Sequence, residues 1–295
     1  MRSIKCVNNE KDISLTFSET GFTPFFLASV DGIYSAKNNV FMSENVMVDG
    51  ATYQDSIAPA RNIVISLIEN PQGNFIYDQS NRDLLYSLFR KGDEGTLYYE
   101  ENGVVRKIKY YPESITRANK GSRLFTISLL CANPRFNDES DTYVAMANWY
   151  SSFEFTHEFV ASGEVLGYRS AVRLVNIVND KSMDKIGMTI IIEAQGNVVN
   201  PVITRIESGE HIALGSEDNP FSLQRGDVLT ITTMVNNKHI TLAREGVVSE
   251  VNLYLTEDSE FIQLMYGNNN IVYDADEGRD NMTVNIIYAN EYEGV

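Results

Sequence analysis

The chain has few of the residues that most often build catalytic and metal sites. It contains two cysteines and three histidines among 295 residues. Cys6 and Cys131 lie in apolar patterns without metal-ligand spacing, which favours two buried free thiols. The histidines, His157, His211 and His239, stand apart from one another, and His157-Glu158 lacks the second histidine of a zinc protease motif. We therefore predict no metal site and no reactive cysteine.

Motifs for nucleophilic and nucleotide chemistry are also missing. The chain has no Gly-x-Ser-x-Gly elbow, phosphate-binding loop or dinucleotide fingerprint. The acidic residues 274–280 differ from a calcium loop because Arg279 takes the place of the turn glycine, so we expect a solvated hairpin tip. A glycosidase would need two carboxylates whose separation depends on the fold, and that alternative stays open. We predict no catalytic residues, no cofactor and no metal, and a protein that is not an enzyme.

Long hydrophobic runs are absent as well. The longest, such as residues 188–192, are far shorter than a membrane span, and no hydrophobic region follows residues 1–5. We therefore expect synthesis and folding in the cytoplasm, and no membrane partner. The 40 acidic residues exceed the 24 basic ones and give a net charge of −16, which repels nucleic acid. A surface past which DNA slides without sticking remains compatible with this charge.

Strand patterns dominate what is present. The 43% of apolar residues can fill real cores, and 295 residues favour about two domains. In the first half, alternation predicts strands at residues 13–17, 61–67 and 125–131. The last of these ends at Asn133-Pro134, before the polar run 137–141, which indicates the edge of a domain.

Two local motifs stand out in this first half. Asn102-Gly103 separates residues 97–99 from 104–111 and predicts a β-hairpin. A short helix is predicted to begin at a cap of Ser80 or Asn81 and to stop before Gly92. Its apolar stripe comprises Leu84, Leu85, Leu88 and Phe89.

The second half is a series of short strands separated by turn signals, which predicts a β-sandwich. The predicted strands are 171–178, 188–194, 202–206, 228–233, 239–243, 251–255, 261–264 and 284–288, and one of the predicted turns is 267–270. Before them, residues 139–165 contain the aromatic residues Trp149, Tyr150, Phe153 and Phe155 and read as an ordered connection. We therefore predict a mainly β protein with one helix. Its domains are residues 1–138 and 166–295, with the last residues packing back on the first domain.

Taken in order, the motifs of both halves resemble the distal tail protein (Dit) family of long-tailed, siphophage-type bacteriophages. No single motif is specific, and the ordered set carries the resemblance over nearly the whole chain. In the first half the motifs are Gly50-x-x-Tyr53-Gln54, Arg61 before Ile63-Val64-Ile65, the helix with its leucines, and Leu129-Leu130-Cys131-x-x-Pro134-x-Phe136. In the second half they are Asn200-Pro201-Val202-Ile203, Gly209-Glu210-x-Ile212, Leu223-x-x-Gly226-Asp227-x-Leu229-x-Ile231, Phe261-x-x-Leu264-x-x-Gly267-x-Asn269 and the ending Glu291-Tyr292-Glu293-Gly294-Val295. One departure concerns residues 179–184, where members often have Asn-x-Gly-Asp and this chain has no glycine.

The resemblance implies a structural protein of the virion tail tip. Its first domain, a β-sandwich or split barrel, would form a homo-hexameric ring, and its second would be a galectin-like β-sandwich projecting outward. The ring would join the tail tube protein to the tail-tip hub protein and to the baseplate or receptor-binding apparatus, with DNA in transit through the lumen. Further implied partners are the tape measure and receptor-binding proteins. The protein would be made in the cytoplasm of the host bacterium.

The predicted hairpin carries a candidate oligomer interface. Its tyrosines, Tyr98, Tyr99, Tyr110 and Tyr111, have the aromatic content of an interface, and packing within the monomer explains them equally well. Arg135 stays undecided between interface and solvent. The alternative function is a carbohydrate-binding sandwich that mediates adhesion to the host surface, for which Tyr254, Tyr266 and Tyr273 are candidate platforms.

Overall fold

A computed structural model describes residues 2–21, 23–44, 49–70, 79–117, 119, 121–151, 167–171, 173–182 and 185–295. Within these ranges the chain is mainly β, with one α-helix, α1 (Gln79–Leu88). The strands, numbered in chain order, are β1 (Arg2–Asn8), β2 (Ile13–Ser18), β3 (Phe25–Asp31), β4 (Asn39–Glu44), β5 (Ala51–Ile57), β6 (Arg61–Glu69), β7 (Gly95–Glu101), β8 (Val104–Arg117), β9 (Leu124–Cys131), β10 (Phe136–Asp138), β11 (Thr142–Ala145), β12 (Ala147–Ser151), β13 (Gly167–Ala171), β14 (Leu174–Asn179), β15 (Met188–Ala194), β16 (Val198–Arg205), β17 (His211–Ala213), β18 (Ser222–Leu223), β19 (Val228–Met234), β20 (Asn237–Arg244), β21 (Val247–Glu250), β22 (Gly267–Glu277), β23 (Met282–Tyr288) and β24 (Glu291–Tyr292).

The chain forms two compact units. Unit 1 comprises Met1–Glu139 together with Glu291–Val295, and unit 2 comprises Ser140–Asn290. Unit 2 is therefore an insertion between β10 and β24. Of the predicted connection 139–165, residues 142–145 form β11 and pair with β23 of unit 2. Residues 147–151 form β12 and pair with β13, whereas the aromatic packing predicted for residues 149–155 concerns side chains that the structure does not describe.

Unit 1 is a closed barrel of seven strands in the order β8-β7-β1-β2-β3-β6-β9. Strand β9 closes it by pairing with β6 on one side and with the second half of β8 on the other. A register shift between Pro112 and Ser114 bends β8 at this seam, because proline cannot donate to the ladder. The predicted strand 125–131 is therefore confirmed as β9. Its alternate residues Phe125, Ile127, Leu129 and Cys131 point into the barrel core and are fully buried.

The hairpin and the helix predicted in the first half are both present, but Ser80 and Asn81 lie inside the helix, so the predicted cap is wrong. Asn102 and Gly103 both have positive φ, 54° and 81°, and join β7 to β8 as a two-residue hairpin loop. Helix α1 places Leu85 and Leu88 in the barrel core, and Phe89 just beyond it stacks on Phe17 with ring centroids 6.4 Å apart. Leu84, predicted in the same stripe, is instead 38% exposed.

Unit 2 is a two-sheet sandwich, which confirms the predicted architecture of the second half. One sheet has the order β11-β23-β15-β19-β20-β21 and the other the order β14-β22-β16-β17, with β18 beside β16. A single apolar core with contributions from both sheets fills the space between them, for example Ile190 and Leu229 from the first and Ile203 and Ile271 from the second. Alternating inward and outward residues on β15 and β16 produce this arrangement.

Four predictions for unit 2 are wrong in detail, namely the turn at 267–270, the strands at 251–255 and 261–264, and the hairpin tip at 274–280. Residues 267–270 begin the long strand β22, although their glycine and asparagines predicted a turn. Residues 251–255 contain a 3-10 turn at Asn252–Tyr254, and Leu264 makes only an isolated bridge to Ile186. Residues 274–277 are strand as well, and the connection that follows links two different sheets, so it is not a hairpin tip.

Candidate interaction site

Residues Glu291–Val295 are built into the barrel of unit 1, and we call them the C-terminal clasp. Tyr292 pairs with Phe136 across β24 and β10, and its hydroxyl donates a hydrogen bond to Asp138 Oδ1 at 2.8 Å. The Arg106 guanidinium lies 3.8 Å from the Tyr292 ring centroid and donates to the Gly294 carbonyl. The clasp is thus held by strand pairing, by a hydrogen bond from the tyrosine hydroxyl to a carboxylate and by a cation–π contact.

Arg61 ties the clasp to the rest of unit 1. Its side chain is buried and donates to the carbonyl oxygens of Gly32 at 3.1 Å and Tyr34 at 3.4 Å, and also to that of Glu293. The guanidinium lies 5.0 Å from the Phe136 ring centroid. Burial lowers the pKa of Arg61 from its ordinary value, and the carbonyl oxygens accept hydrogen bonds from the two terminal nitrogens of its guanidinium.

A glycine is required in the clasp because the backbone comes so close to the barrel. A Cβ at Gly294 would lie 1.7 Å from the Tyr34 carbonyl oxygen. Arg61, Phe136 and the chain ending therefore meet in one structure, although the sequence presents them as three separate motifs. Arg135 also belongs here, since its guanidinium lies 3.4 Å from the Glu291 carboxylate and its side chain is 24% exposed.

Strands β4 and β5 pair only with each other among the described residues and form what we call the β4–β5 ribbon. Every residue of both strands is exposed. These exposed residues include large apolar side chains, namely Val40, Phe41, Met42, Tyr53 and Ile57, which are between 49% and 62% exposed. An isolated two-stranded sheet is marginally stable in water, so the ribbon has the character of a surface that a partner covers.

Sequence reasoning did not single out the ribbon as an interaction site. The available signal was the run Val40-Phe41-Met42 followed by Tyr53, with no basic residue between positions 38 and 60. The same pattern is typical of a strand with one buried face, and only the fold shows that both faces are bare.

The four tyrosines of the candidate interface fall into two groups. Tyr99 and Tyr110 are buried in the barrel core, at 1% and 0% exposure, so packing within the monomer accounts for them. Burial raises the pKa of Tyr99 to about 12. Tyr98 is half-buried on the outer face of β7, and Tyr111 is 44% exposed with its hydroxyl donating to Glu94 at 3.0 Å. Only Tyr98 and Tyr111 thus remain available to a partner.

The cysteines lie together in the core of unit 1, and the described histidines, His211 and His239, lie on β17 and β20 of unit 2. Cys6 and Cys131 are buried free thiols, and burial raises the pKa of Cys131 to about 12, so it is not a thiolate at neutral pH. His211 Nε2 lies 3.2 Å from Asp258 Oδ2, while His157 falls outside the described residues. No group of three or more metal-ligating side chains occurs in the part of the chain that the structure describes. None of the helices in these ranges is long and apolar enough to cross a membrane.

The acidic residues 274–280 are engaged with their surroundings. Asp274 lies 3.5 Å from the Arg279 guanidinium, and Asp276 accepts a hydrogen bond from the Asn200 amide at 2.7 Å. A shallow cavity of about 250 Å³ lies here, lined by Ala275, Asp276, Gly278, Arg279, Asp280 and Asn281.

The candidate sugar platforms are mostly unavailable. Tyr273 is 1% exposed, and Tyr254 packs against Phe221 with ring centroids 5.0 Å apart. Tyr266 alone of the three is well exposed, at 58%. A single exposed tyrosine gives the carbohydrate-binding alternative little support.

Comparison with solved structures finds the fold of this chain in phage proteins. The Dit (gp 19.1) protein of phage SPP1, described as a paradigm of the hub adsorption apparatus in phages infecting Gram-positive bacteria, is similar with a TM-score of 0.63 and 11% identity, covering 98% of this chain and 99% of that one. Chains of the phage P2 baseplate in its activated conformation are similar as well, with TM-scores of 0.54 in the calcium form and 0.55 in the strontium form. Each baseplate chain is 9% identical in sequence to this chain, and each alignment covers 100% of both chains.

No protein-family model and no curated protein sequence matches the chain. At identities of 9–11% the likeness to the solved structures concerns the fold. The agreement nevertheless spans both units in full, so the resemblance predicted from the ordered motifs is confirmed at the level of fold. The chain has the two-domain fold of a phage distal tail protein.

Proposed function

We propose that this protein is a structural component of a phage tail tip, in which six copies form a ring between the tail tube and the hub or receptor-binding apparatus. The fold shared with the SPP1 Dit protein and the P2 baseplate chains supports a tail-tip role. The observation that carries self-association is the β4–β5 ribbon, in which every apolar side chain of the two strands is exposed.

A ribbon of this kind suits a ring. A closed ring uses one heterologous interface repeatedly, so each copy must offer a projecting element and a different receiving surface. The ribbon offers Met42 and Tyr53 at 62% and 59% exposure, and burying such side chains between copies favours association by the hydrophobic effect. Tail tube, hub, tape measure and receptor-binding proteins are the partners that we propose for the assembled ring, at the tip of the virion tail.

The solution mass of the purified chain tests the ring. We expect a species of six times the 33.2 kDa chain mass in native mass spectrometry, and six-fold rings in negative stain. The variant M42S/Y53S should shift the population to monomers. The matched variant V247S/V248S, which changes two equally exposed valines of unit 2, should leave the rings intact. A strict monomer at all concentrations contradicts the ring.

We further propose that DNA passes through the lumen of this ring. The net charge of −16 supports this, since repulsion of the phosphates keeps the DNA from sticking to the wall. Reversing the charge of residues mapped to the lumen should slow DNA ejection, and an unchanged ejection rate contradicts the role of the charge.

A further inference from the structure

The three most exposed large apolar side chains of the described residues lie close together in the sequence. They are Val247 at 68%, Val248 at 67% and Leu253 at 78% exposure. The two valines belong to β21, the strand at one end of the six-stranded sheet of unit 2, and Leu253 lies in the 3-10 turn that follows. Single apolar residues on a surface are common, but a cluster of them on an edge strand marks an interaction site.

The backbone of β21 is open on the side that faces away from β20. The Val251 N–H donates to the Ile240 carbonyl at 3.0 Å, and hydrogen-bonded pairs alternate along an antiparallel ladder. Ser249 is therefore bonded to β20, whereas the N–H and C=O groups of Val248 and Glu250 point to the open side. No described residue forms a hydrogen bond with these outward backbone groups.

The other sheet of unit 2 has an edge that the chain itself covers. Along β17, the Thr256 N–H donates to the Ala213 carbonyl at 3.1 Å, and the Glu260 N–H donates to the His211 carbonyl at 2.8 Å. Strand β21 has no such cover among the described residues. It also contains no lysine, proline or bulge, which are common protections of an edge strand. An open edge with exposed valines on both faces is a template for another strand.

The charge of unit 2 favours a basic partner over a second copy of this chain. Unit 2 contains 21 acidic and 9 basic residues, so it carries −12 of the net charge of −16. Glu250 lies opposite Thr241, and none of the ion pairs between described residues involves it. Arg244, at the end of β20, is bonded to Asp227. Two copies paired through β21 would bring like charges together, whereas a basic segment would neutralise them.

We propose that β21 binds an extended segment of a basic partner protein, which adds a seventh strand to the six-stranded sheet. The backbone of that segment would pair with Val248 and Glu250. An apolar side chain would lie beside Val248, and a lysine or arginine two positions away, on the same face, would lie beside Glu250. In such strand addition the main-chain hydrogen bonds give affinity and the alternate side chains give specificity. The site lies in unit 2 and the β4–β5 ribbon in unit 1, so this docking surface goes beyond the proposed ring.

Hydrogen exchange of the full chain, measured by NMR with a synthetic peptide, tests the site. The peptide contains the run Lys-Thr-Val-Ile, which in antiparallel pairing places its lysine opposite Glu250 and its valine opposite Val248. We expect it to slow exchange of the N–H groups of both residues. A matched peptide with glutamate in place of lysine should bind about tenfold more weakly.

Three outcomes of this measurement would overturn the proposal. The first is slower exchange at other residues only, and the second is no binding of either peptide at millimolar concentration. The third is protection of Val248 and Glu250 that rises with the protein concentration in the absence of peptide, which would assign the edge to a second copy.

Two variants separate main-chain pairing from charge. Val248→Pro removes an N–H that has no bond to β20, which an edge strand tolerates, so binding of the lysine peptide should fall at least about tenfold. Val248→Thr keeps this N–H and the branched side chain, and should bind as the unchanged chain does. Equal binding by V248P and V248T, both with the unit 2 unfolding transition intact, refutes strand addition.

The variant E250K tests the charge and remains informative if V248P does not fold. It should reverse the preference between the two peptides, and an unchanged preference refutes the role assigned to Glu250. All three variants should form the same rings as the unchanged chain, because β21 lies outside the ribbon. A failure of this proposal is thereby distinguished from a failure of the proposed ring.

Discussion

The side chain of Asn269 stabilises the start of strand β22 through several hydrogen bonds. Its amide is fully buried, accepts from the Met265 N–H at 2.8 Å, and donates to the carbonyl oxygens of Met265, Gly267 and Ile177. We expect Asn269→Ala to lower the unfolding free energy of unit 2 by about 3 kcal/mol, since buried backbone groups lose their partner. Denaturant unfolding of the full chain measures this.

The neighbouring residue provides the control for this change. Asn268 is exposed, and its amide oxygen accepts one hydrogen bond, from Asn176. Asn268→Ala should cost no more than about 0.5 kcal/mol. Equal losses in the two variants would show that Asn269 has no special role.

Asp227 makes unit 2 sensitive to acid. The Arg244 guanidinium is hydrogen-bonded to the buried carboxylate at 2.5–3.1 Å and, together with the Gln224 N–H, holds the pKa of Asp227 below its ordinary value of 3.8. A carboxylate with a lowered folded pKa stabilises the fold above its unfolded pKa, and this contribution is lost as the pH falls through the folded pKa. The unfolding free energy of unit 2 should therefore decline below about pH 4.

Titration of stability against pH tests this assignment. We expect Asp227→Asn to lower stability at neutral pH by about 1–3 kcal/mol and to flatten the decline in acid. Asp218→Asn, which changes an exposed carboxylate, should keep the profile of the unchanged chain. An identical acid slope in D227N would rule out Asp227 as its source.

At the scale of elements, a buried ion pair attaches helix α1 to strand β6. The Arg82 guanidinium donates to both oxygens of Glu69 at 3.0 and 2.9 Å, and their side chains are only 15% and 6% exposed. Arg82→Ala leaves a buried carboxylate without its cation, so unit 1 should lose about 3–5 kcal/mol of unfolding free energy. Thermal or denaturant unfolding reports the loss.

The same helix offers a matched comparison. Asp83 accepts a hydrogen bond from Gln79 at 2.9 Å on the exposed side of α1. Asp83→Ala should therefore change stability by no more than about 0.5 kcal/mol. If R82A were as mild as D83A, the helix would be held by its apolar residues alone.

Elements with local signals could be predicted from the sequence. The hairpin at Asn102-Gly103 and the helix followed by Gly92 depend on residues a few positions apart, and both are present. The start of strand β22 was not predicted, because Asn268, Asn269 and Asn270 are typical turn residues. In the structure the buried amide of Asn269 hydrogen-bonds neighbouring backbone groups, and the segment is the first part of the strand. Glycine and asparagine favour turns locally, but tertiary hydrogen bonds outweigh that turn preference in this segment.

Other features of the structure could not be predicted because they depend on residues far apart in the sequence. The C-terminal clasp joins Arg61 to Glu293, which lie 232 positions apart, and no periodicity in the sequence connects them. The exposure of both faces of the β4–β5 ribbon could not be predicted from the sequence either. Alternation shows that a strand has an apolar side, but it does not show whether another element covers that side.

At the scale of the whole molecule, the order of the chain makes unit 2 an insertion with adjacent ends. The chain leaves unit 1 after β10 and returns at β24, and these two strands pair with each other through Phe136 and Tyr292. In unit 2 the first strand β11 pairs with β23, so Thr142 lies opposite Tyr288. Neighbouring ends are typical of domains that are inserted into others and fold on their own.

This topology predicts an asymmetry between the two units. The fragment 140–290 keeps both sheets and its whole apolar core, so we expect it to fold alone with a cooperative unfolding transition. Deleting residues 291–295 from the full chain removes one of the three carbonyl partners of Arg61, the Gly294 carbonyl partner of Arg106 and the strand partner of β10. That deletion should destabilise unit 1 by several kcal/mol and leave the unit 2 transition at the midpoint of the isolated fragment.

Calorimetry with hydrogen exchange resolves the two units. In the shortened chain, faster exchange should be confined to unit 1, in β10 and around Ile33, whose carbonyl accepts from the Val295 N–H at 3.2 Å. Faster exchange throughout unit 2, or a fragment 140–290 without a cooperative transition, would mean that the sandwich depends on the barrel. If exchange is faster in unit 1 alone, the clasp stabilises the barrel without contributing to the sandwich. The reason is that the clasp residues belong to unit 1, although they follow the whole of unit 2 in the sequence.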